Sequence, residues 1–282
     1  MRWPSRPTIS VENTLSACTS GLRDEGAKEK LEGRLADMQS AEEKYKQAGE
    51  GGTLLALLHS RSFSAQRADR DKELLIDTYE TGLVGRKAGR ELYDVLKSAA
   101  VHGKCPLCGI GQAHTLDHHA PKTLFPLLAL APLNLVPACG ICNQGKSNKL
   151  SILTSEEVLH PYFDDLGTER WLFADVIPEA GVAAYAAKPP AFWSATKQSR
   201  VQNHFDSHDL AHRYAKEAAW LMSCRRRTDL RTFESAGPDG LREALQTDAE
   251  SHGDHDLNGW DTALLHALAE SEWYVNGGMK TL

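Results

Sequence analysis

The sequence predicts a mainly α-helical protein in which a small cysteine-stapled unit lies between two helical regions. Three observations support this fold class. Apolar residues recur at helical spacing in both halves of the 282-residue chain, and two Cys-x-x-Cys pairs lie between those stretches. A composition of 41% hydrophobic and 25% charged residues is typical of globular proteins. We therefore expect a helical region at 1–102, the cysteine-stapled unit at 103–150 and a second helical region at 151–282.

The first helical region contains four predicted helices. The stretch "TISVENTLSACTSGL" places Val11, Leu15 and Cys18 on one helical face, and Ser10 is a candidate N-cap. The stretch "AKEKLEGRLADMQSAEEKYKQ" is typical of a charged amphipathic helix that ends before a glycine-rich break. The stretches "RDKELLIDTYETGLV" and "GRELYDVLKSAAV" predict two more helices, and we expect the region to form a packing platform.

The second helical region is predicted from an apolar stripe and from a last helix, "GWDTALLHALAESEWYV". The stripe consists of Leu210, Tyr214, Ala218 and Leu221. Three histidines at spacings of four residues also lie in this region, and they are His204, His208 and His212. A polar helix face explains them better than a metal site, because no Glu stands at H-E-x-x-H spacing. An arginine cluster at 225–227 fits a nucleic-acid contact or an exposed helix end.

The charge balance limits how the chain can contact polyanions. Lysine and arginine total 32 against 38 for aspartate and glutamate, so the formal net charge is −6, which still permits a local basic patch. The opening "MRWPSRPTIS" lacks an apolar signal core, and "TLFPLLALAPLNLVPA" is too short and too rich in proline to span a bilayer. We expect a soluble, cytoplasmic protein without a membrane partner, in which cysteines bind metal more often than they form disulfides.

Four of the six cysteines form two Cys-x-x-Cys pairs, Cys105 with Cys108 and Cys139 with Cys142. Each pair forms one knuckle, and two knuckles supply the four thiolates that structural zinc prefers. A thioredoxin-like redox site would need only one pair, and a reducing cytosol disfavours disulfides. We therefore expect a closed zinc site that stabilises the fold and does no chemistry, with Gly109 permitting the tight turn of the first knuckle.

Polar residues between and after the two pairs form a further pattern. The stretches "LDHHAP" and "LNLVPACGICNQGKSN" give D-H-x-x-P, then N-L-V, then C-x-x-C-N-x-x-K. In this combination the chain resembles the HNH endonucleases, the His-Me finger or ββα-metal fold, in the subtype stapled by a four-cysteine zinc. The resemblance covers residues 103–150. It implies a zinc-stapled ββα-metal (HNH) unit between the two helical regions.

The resemblance also implies a role for the polar residues of this unit. His118 would be the general base, and Asn134 would tie down the loop between the strands. Asp117 and Asn143 would hold one catalytic cation, Mg²⁺ or Mn²⁺. The chemistry agrees, because histidine titrates near neutral pH and a carboxylate with an amide oxygen suits a hard cation. Asp117 and His118 are adjacent, so an extended segment directs them to opposite sides.

Three further residues are expected to contact the substrate. Lys122 and Lys146 would meet phosphate oxygens, and His119 would form a wall of the site. One alternative register stays open, in which His118 is the metal ligand and His119 is the base, as in the colicin-type nucleases. Pro121 at D-H-x-x-P spacing favours His118 as the base.

The stretch "LHPYFDD" (159–165) extends the resemblance beyond the cysteine unit. It is similar to H-P-Y-F stretches that follow the nuclease motif in bacterial HNH proteins that accompany an ATPase in anti-phage systems of the Septu type. The resemblance implies a magnesium-dependent DNA endonuclease that serves as the effector of a defence complex, with an ATPase subunit as partner. Two alternatives stay open: an RNA-cleaving nuclease, and a non-catalytic zinc ribbon that binds nucleic acid or protein.

Overall fold

The computed structural model describes residues 3–145 and 151–281. These residues are mostly helical and include two small antiparallel sheets of two strands each. The predicted fold class, mainly α with a small β component, is confirmed at this level. The chain divides into two compact units. The N-terminal unit comprises Arg2–Thr154 with Leu159–Asp165, and the C-terminal unit comprises Ser155–Val158 with Leu166–Leu282.

The N-terminal unit begins with helices and ends with a two-stranded ribbon and a short helix. Its helices are α1 (Val11–Thr19), α2 (Glu25–Gly33), α3 (Leu35–Glu50), α4 (Leu54–His59), α5 (Arg61–Ser64), α6 (Lys72–Thr78), a π-helical turn (Tyr79–Val84), α7 (Lys87–Ser98) and α8 (Gly140–Gly145). Its strands are β1 (Thr115–His118) and β2 (Leu135–Ala138), which pair antiparallel with His118 opposite Leu135.

Local signals in the sequence explain where the first helix begins. The Ser10 side chain accepts a hydrogen bond from the Asn13 amide, and the Asn13 side chain accepts one from the Ser10 amide. This reciprocal capping box satisfies amide groups that the first helical turn leaves without partners. The charged stretch predicted as one helix forms two, α2 and α3. The chain bends between them at Arg34, whose guanidinium pairs with Asp69 and Asp71.

The strands pack in the same core as the N-terminal helices. This core contains Leu15, Met38, Leu75, Leu116 and Leu135, which are all buried. Because this core contains residues of both the helices and the ribbon, the helices help to determine where β1 lies, as a packing platform would.

The outer edge of β1 is held by the helices rather than by a third strand. The Leu116 amide donates a hydrogen bond to the Tyr93 hydroxyl of α7 at 3.1 Å. The Thr14 hydroxyl of α1 donates to the carbonyl of Leu130, in the connection that leads to β2, at 2.8 Å. The first bond satisfies a backbone group that a two-stranded ribbon leaves open on its edge, and the second fixes the connection between its strands.

The C-terminal unit combines helices with a β-hairpin that the sequence did not predict. Its elements are β3 (Leu172–Ile177), β4 (Val182–Ala187), α9 (Ala195–Ser207), α10 (Leu210–His255), α11 (Trp260–Glu270) and α12 (Glu272–Val275). Strand β4 reads "VAAYAA", and its alanines favour helices rather than strands, so propensity gives a poor signal here.

Helix α10 is broken in its middle and folds back on itself. Gly237 has a positive φ of 70°, and Pro238 follows it. Arg225 donates to Asp248, 23 positions further along the chain, at 3.0 Å. Only an antiparallel arrangement of the two halves brings these side chains together, because a straight helix would separate them by about 35 Å.

The arginine cluster mainly serves this unit's own structure. Arg225 pairs with Asp229 and Asp248, and Arg226 donates to the carbonyls of Met279 and Lys280. Two of the clustered cations are therefore already engaged within the unit.

Two cysteines outside the pairs lie in helical patterns that predict buried side chains. Cys18 is buried, and burial raises the pKa of its thiol to about 12. The same expectation is wrong for Cys224, which is exposed on α10. Separately, none of the described helices combines the length and apolar character needed to cross a membrane.

Gly89→Ala tests the close approach of α7 to the π-helical turn. A Cβ at Gly89 would clash with the carbonyl oxygen of Gly82. We expect the substitution to lower the free energy of unfolding by about 1–3 kcal/mol, because overpacked backbone must shift. Gly33→Ala is the matched control, since a Cβ there meets nothing within 4 Å, and alanine should stabilise it by up to about 1 kcal/mol. Urea titrations followed by circular dichroism give the free energy of unfolding of each variant. A Gly89→Ala midpoint equal to that of the wild type would contradict the close packing of α7 on the π-helical turn.

Candidate metal centre and adjoining polar site

The first cysteine pair lies on a tight turn that backbone hydrogen bonds close. The Gly109 amide donates to the Cys105 carbonyl at 2.7 Å, and the Cys105 amide donates to the Gly111 carbonyl at 2.7 Å. Gly109 has a φ of 71°, a conformation that glycine adopts without strain, as the sequence predicted. The second pair spans the junction of β2 and α8, with Cys139 directly after the strand and Cys142 within the helix.

The four cysteine side chains meet in one buried cluster. All four sulfur atoms lie within 4.8 Å of one another, and within residues 3–145 and 151–281 this is the one such group of Cys, His, Asp or Glu that could hold a metal ion. The sulfurs of Cys108 and Cys139 lie 3.8 Å apart, whereas a disulfide requires about 2.05 Å. Four thiolates at a zinc–sulfur distance of about 2.3 Å would be separated by about 3.8 Å in a tetrahedron. The cluster therefore fits a structural metal such as zinc.

A backbone amide next to the cluster donates to one of its sulfur atoms. The Gly111 amide donates to the sulfur of Cys108 at 3.4 Å. The pKa of the Cys108 thiol is lowered to about 6, first through its hydrogen bond with Cys105 and also through Gly111. A Cβ at Gly111 would lie 2.8 Å from the sulfur of Cys139, so a larger residue would displace a potential ligand.

Strand β1 carries a polar side chain on each of its two faces. Asp117 is buried and His118 is half-buried, and their adjacency in a strand directs them to opposite sides. Thr115 lies two residues before Asp117 and therefore shares its face. The Asn143 side-chain amide donates to the Thr115 hydroxyl at 3.2 Å. Asp117 and Asn143 are thus brought to one side of the ribbon, with His118 on the other.

The ring of His118 is held on two sides. Its Nε2 atom lies 2.9 Å from the Ala129 carbonyl oxygen, which can only accept, so this nitrogen carries a proton. The ring of Tyr79 meets it edge-on, with the two ring centres 4.4 Å apart. Burial raises the pKa of Tyr79 above its usual range, so its hydroxyl stays neutral.

Asn134 anchors the connection between β1 and β2. Its side chain is fully buried and accepts a hydrogen bond from the Ala120 amide at 2.6 Å. It also donates to the carbonyls of Ala120 and Leu128, at 3.0 and 3.1 Å. The carbonyl of Leu128 directly precedes Ala129, so Asn134 fixes the backbone that orients His118.

Of the two lysines predicted to contact phosphate, one is described. Lys122 forms an ion pair with Glu80, and its ammonium nitrogen lies 4.4 Å from the centre of the Tyr79 ring. Both partners belong to the π-helical turn, which therefore lines this side of His118. Lys146 lies outside the described residues.

His119 contacts residues that sequence inspection did not assign to the site. Its Nδ1 atom lies 3.3 Å from the hydroxyl of Tyr45, and its ring centre lies 4.0 Å from that of His160. His160 belongs to the stretch "LHPYFDD", whose resemblance to other nuclease sequences drew attention to it. Tyr45 and Tyr79 lie in ordinary helical patterns, and nothing in the sequence distinguishes them.

The site thus defines a class, a helical protein with a four-cysteine candidate metal centre beside a strand that carries Asp117 and His118. Comparison with known proteins gives a relative of similar length. The chain is 24% identical over 290 residues to Protein ea31 of Escherichia phage lambda, and the alignment covers 96% of this chain and 98% of that protein. The similarity therefore extends along both units. No protein-family model and no solved structure matches the chain.

Cys139→Ser tests the metal centre. We expect it to abolish zinc binding and to destabilise the N-terminal unit by several kcal/mol, because metal binding in small modules contributes about 10 kcal/mol or more to folding. Elemental analysis of purified protein gives the zinc content, and thermal denaturation gives the stability. Cys224→Ser is the matched control, since that thiol is exposed and distant in sequence from the cluster. Full zinc content in Cys139→Ser would exclude the four-cysteine site.

Proposed function

We propose that the protein is a metal-dependent endonuclease of the HNH type that hydrolyses phosphodiester bonds in DNA. The succession of β1, β2 and α8 supports this proposal, because it matches the order of a ββα-metal unit, with one cysteine pair before β1 and the other at the junction of β2 and α8. The polar residues on these elements are those that the motif requires. Asp117 and His118 lie on β1 and Asn143 lies on α8.

The contact between His118 and Ala129 is the observation that carries the proposal. A proton on Nε2, donated to the Ala129 carbonyl, leaves the basic lone pair of a neutral imidazole on Nδ1. A ring held this way can accept the proton of an attacking water at Nδ1. The water oxygen bonds to phosphorus while the bond from phosphorus to the leaving oxygen breaks, and solvent water protonates the leaving oxygen.

Asp117 and Asn143 are suited to hold a divalent cation. Asn143 donates from its side-chain nitrogen to Thr115, which turns its carbonyl oxygen away from that bond. This oxygen and the Asp117 carboxylate are hard ligands on one face of the ribbon, the donor set that Mg²⁺ or Mn²⁺ prefers. When bound, such a cation offsets charge on the phosphate oxygens and on the leaving oxygen.

The two faces of β1 would then have different roles in an in-line displacement at phosphorus. His118 acts on the side of the attacking water, and Asp117 with Asn143 acts on the side of the leaving oxygen. Lys122 can contact a phosphate oxygen next to His118 if it releases Glu80. Lys146, which follows the second knuckle, supplies a further cation for the substrate.

The proposed setting is the nuclease subunit of a bacterial defence complex, with an ATPase as partner. This part of the proposal rests on the resemblance of the segment at 159–165. The acidic balance of the chain supports it, since a net charge of −6 gives little general attraction for nucleic acid. A partner that brings the substrate would compensate for that weak attraction.

Nicking of supercoiled plasmid tests the activity. Purified, zinc-loaded protein is incubated with Mg²⁺ or Mn²⁺, and a structured RNA is assayed in parallel to identify the nucleic acid. We expect metal-dependent cleavage, and we expect His118→Ala to lower its rate by about 10²–10⁴-fold, the usual contribution of a general base. His212→Ala is the matched control, because that histidine is exposed on α10 and should leave the rate unchanged.

The outcomes separate the alternatives. Cleavage of RNA alone would change the proposed substrate and keep the site. Cleavage that persists in His118→Ala would contradict the proposed base. A zinc-loaded protein that binds nucleic acid but cleaves none, even together with proteins that co-purify with it, would favour the non-catalytic zinc ribbon.

A further inference from the structure

The HPYF segment, residues 160–163, belongs to the N-terminal unit and packs beside the polar site. The Tyr162 hydroxyl donates to the carbonyl of Leu135 at 2.9 Å, and Leu135 is the β2 residue paired with His118. Phe163 lies against Gly49 of α3, where any Cβ would clash with its ring. The segment therefore joins α3 to the strand that faces His118.

Within the segment, backbone chemistry fixes the protonation of His160. The Tyr162 amide donates to Nδ1 of His160 at 3.1 Å, and an amide N–H can only donate. A neutral His160 must therefore carry its proton on Nε2. That atom lies 3.1 Å from the Tyr45 hydroxyl, and His160 is almost fully buried at 1% exposure.

The same hydroxyl reaches the residue next to His118. The Tyr45 oxygen lies 3.3 Å from Nδ1 of His119 and is itself fully buried in α3. If His160 donates to the Tyr45 oxygen, the Tyr45 proton is directed to Nδ1 of His119. The donors then run in one direction, from Tyr162 through His160 and Tyr45 to His119.

We propose that this relay is a positioning device for the nuclease site, in which Tyr45 and His160 fix His119 as the tautomer protonated on Nε2. Its catalytic consequence rests on the proposed function, whereas the tautomer itself does not. Nδ1 of His119 then accepts from Tyr45, and its Nε2 atom is buried. His119 has a positioning role instead of the predicted substrate contact, and the role of base belongs to His118.

The relay and the hydrogen bond of Tyr162 reach two neighbours of His118, one on each strand of the ribbon. His119 continues β1 directly after His118, and its amide donates to the Asn134 carbonyl at 2.9 Å. Leu135 lies opposite His118 on β2. The HPYF segment thus restrains the residue that follows His118 and the residue paired with it on β2.

Nitrogen-15 NMR of histidine-labelled protein tests the relay directly. Spectra at pH 8, where an ordinary imidazole is neutral, distinguish the two tautomers by the shifts of the ring nitrogens. Signals are assigned with His119→Gln and His160→Gln. We expect both histidines to carry the proton on Nε2. Tyr45→Phe, which keeps the ring and removes the hydroxyl, should shift the Nδ1 signal of His119 and give a mixture of tautomers.

Tyr185→Phe is the matched control, because it removes a buried hydroxyl that donates to Trp260 in the C-terminal unit. It should leave the His119 signals unchanged. A wild-type His119 protonated on Nδ1, or a His119 signal that Tyr45→Phe does not move, would overturn the relay.

Kinetics on the same variants connect the relay to catalysis. We expect Tyr45→Phe to lower kcat by about 10-fold to 100-fold with KM unchanged, because displaced catalytic groups lose rate rather than affinity. An unchanged kcat would overturn the positioning role even if the tautomers are as expected. A chain that cleaves nothing, even together with the proteins that co-purify with it, would contradict the proposed function, and the tautomers would still decide the relay.

Discussion

The spacing of the four thiols constrains the polar site because one short stretch of chain carries parts of both. Cys139 ends the ribbon and Cys142 lies in α8, so bringing their sulfurs within 4.8 Å of the first pair fixes the junction between β2 and α8. Asn143 follows Cys142 directly, and its side chain reaches Thr115 on β1. A metal bound to the thiols would therefore stabilise the fold and also set the distance between the amide of Asn143 and the strand that carries Asp117.

The ribbon itself is too small to hold its side chains in place. Two strands of four residues are marginal in isolation, and the remaining rigidity must come from packing. Helices α1, α3 and α7 supply it through Thr14, Tyr45 and Tyr93, each of which places a hydroxyl against the strands or the connection between them. This dependence explains why the cysteine-rich stretch and the N-terminal helices form one compact unit.

The sequence predicted those features whose signals are local. Cysteine spacing identified the four-thiol cluster that could hold a metal, and capping at Ser10 marked the start of α1. Features that depend on distant partners left no such signal. Tyr45 meets His160 across 115 positions, and that contact exists only once the fold has formed.

Local signals can also mislead. The alanines of β4 favour helix by propensity, yet that strand pairs with β3 in a hairpin. Cys224 has helical spacing but faces solvent, because a helical period fixes which residues share a face and not which face is buried.

Charge pairing within the described residues bears on how a nuclease with this site would meet its substrate. Lys122 is already paired with Glu80. A substrate phosphate would have to displace the Glu80 carboxylate, so the net gain in attraction between Lys122 and the phosphate is small. Arg225 is compensated in the same way by Asp229 and Asp248. A chain with a net charge of −6 gains little from long-range steering of a polyanion. Under the proposed function, geometry at the site rather than general affinity would select the scissile phosphate.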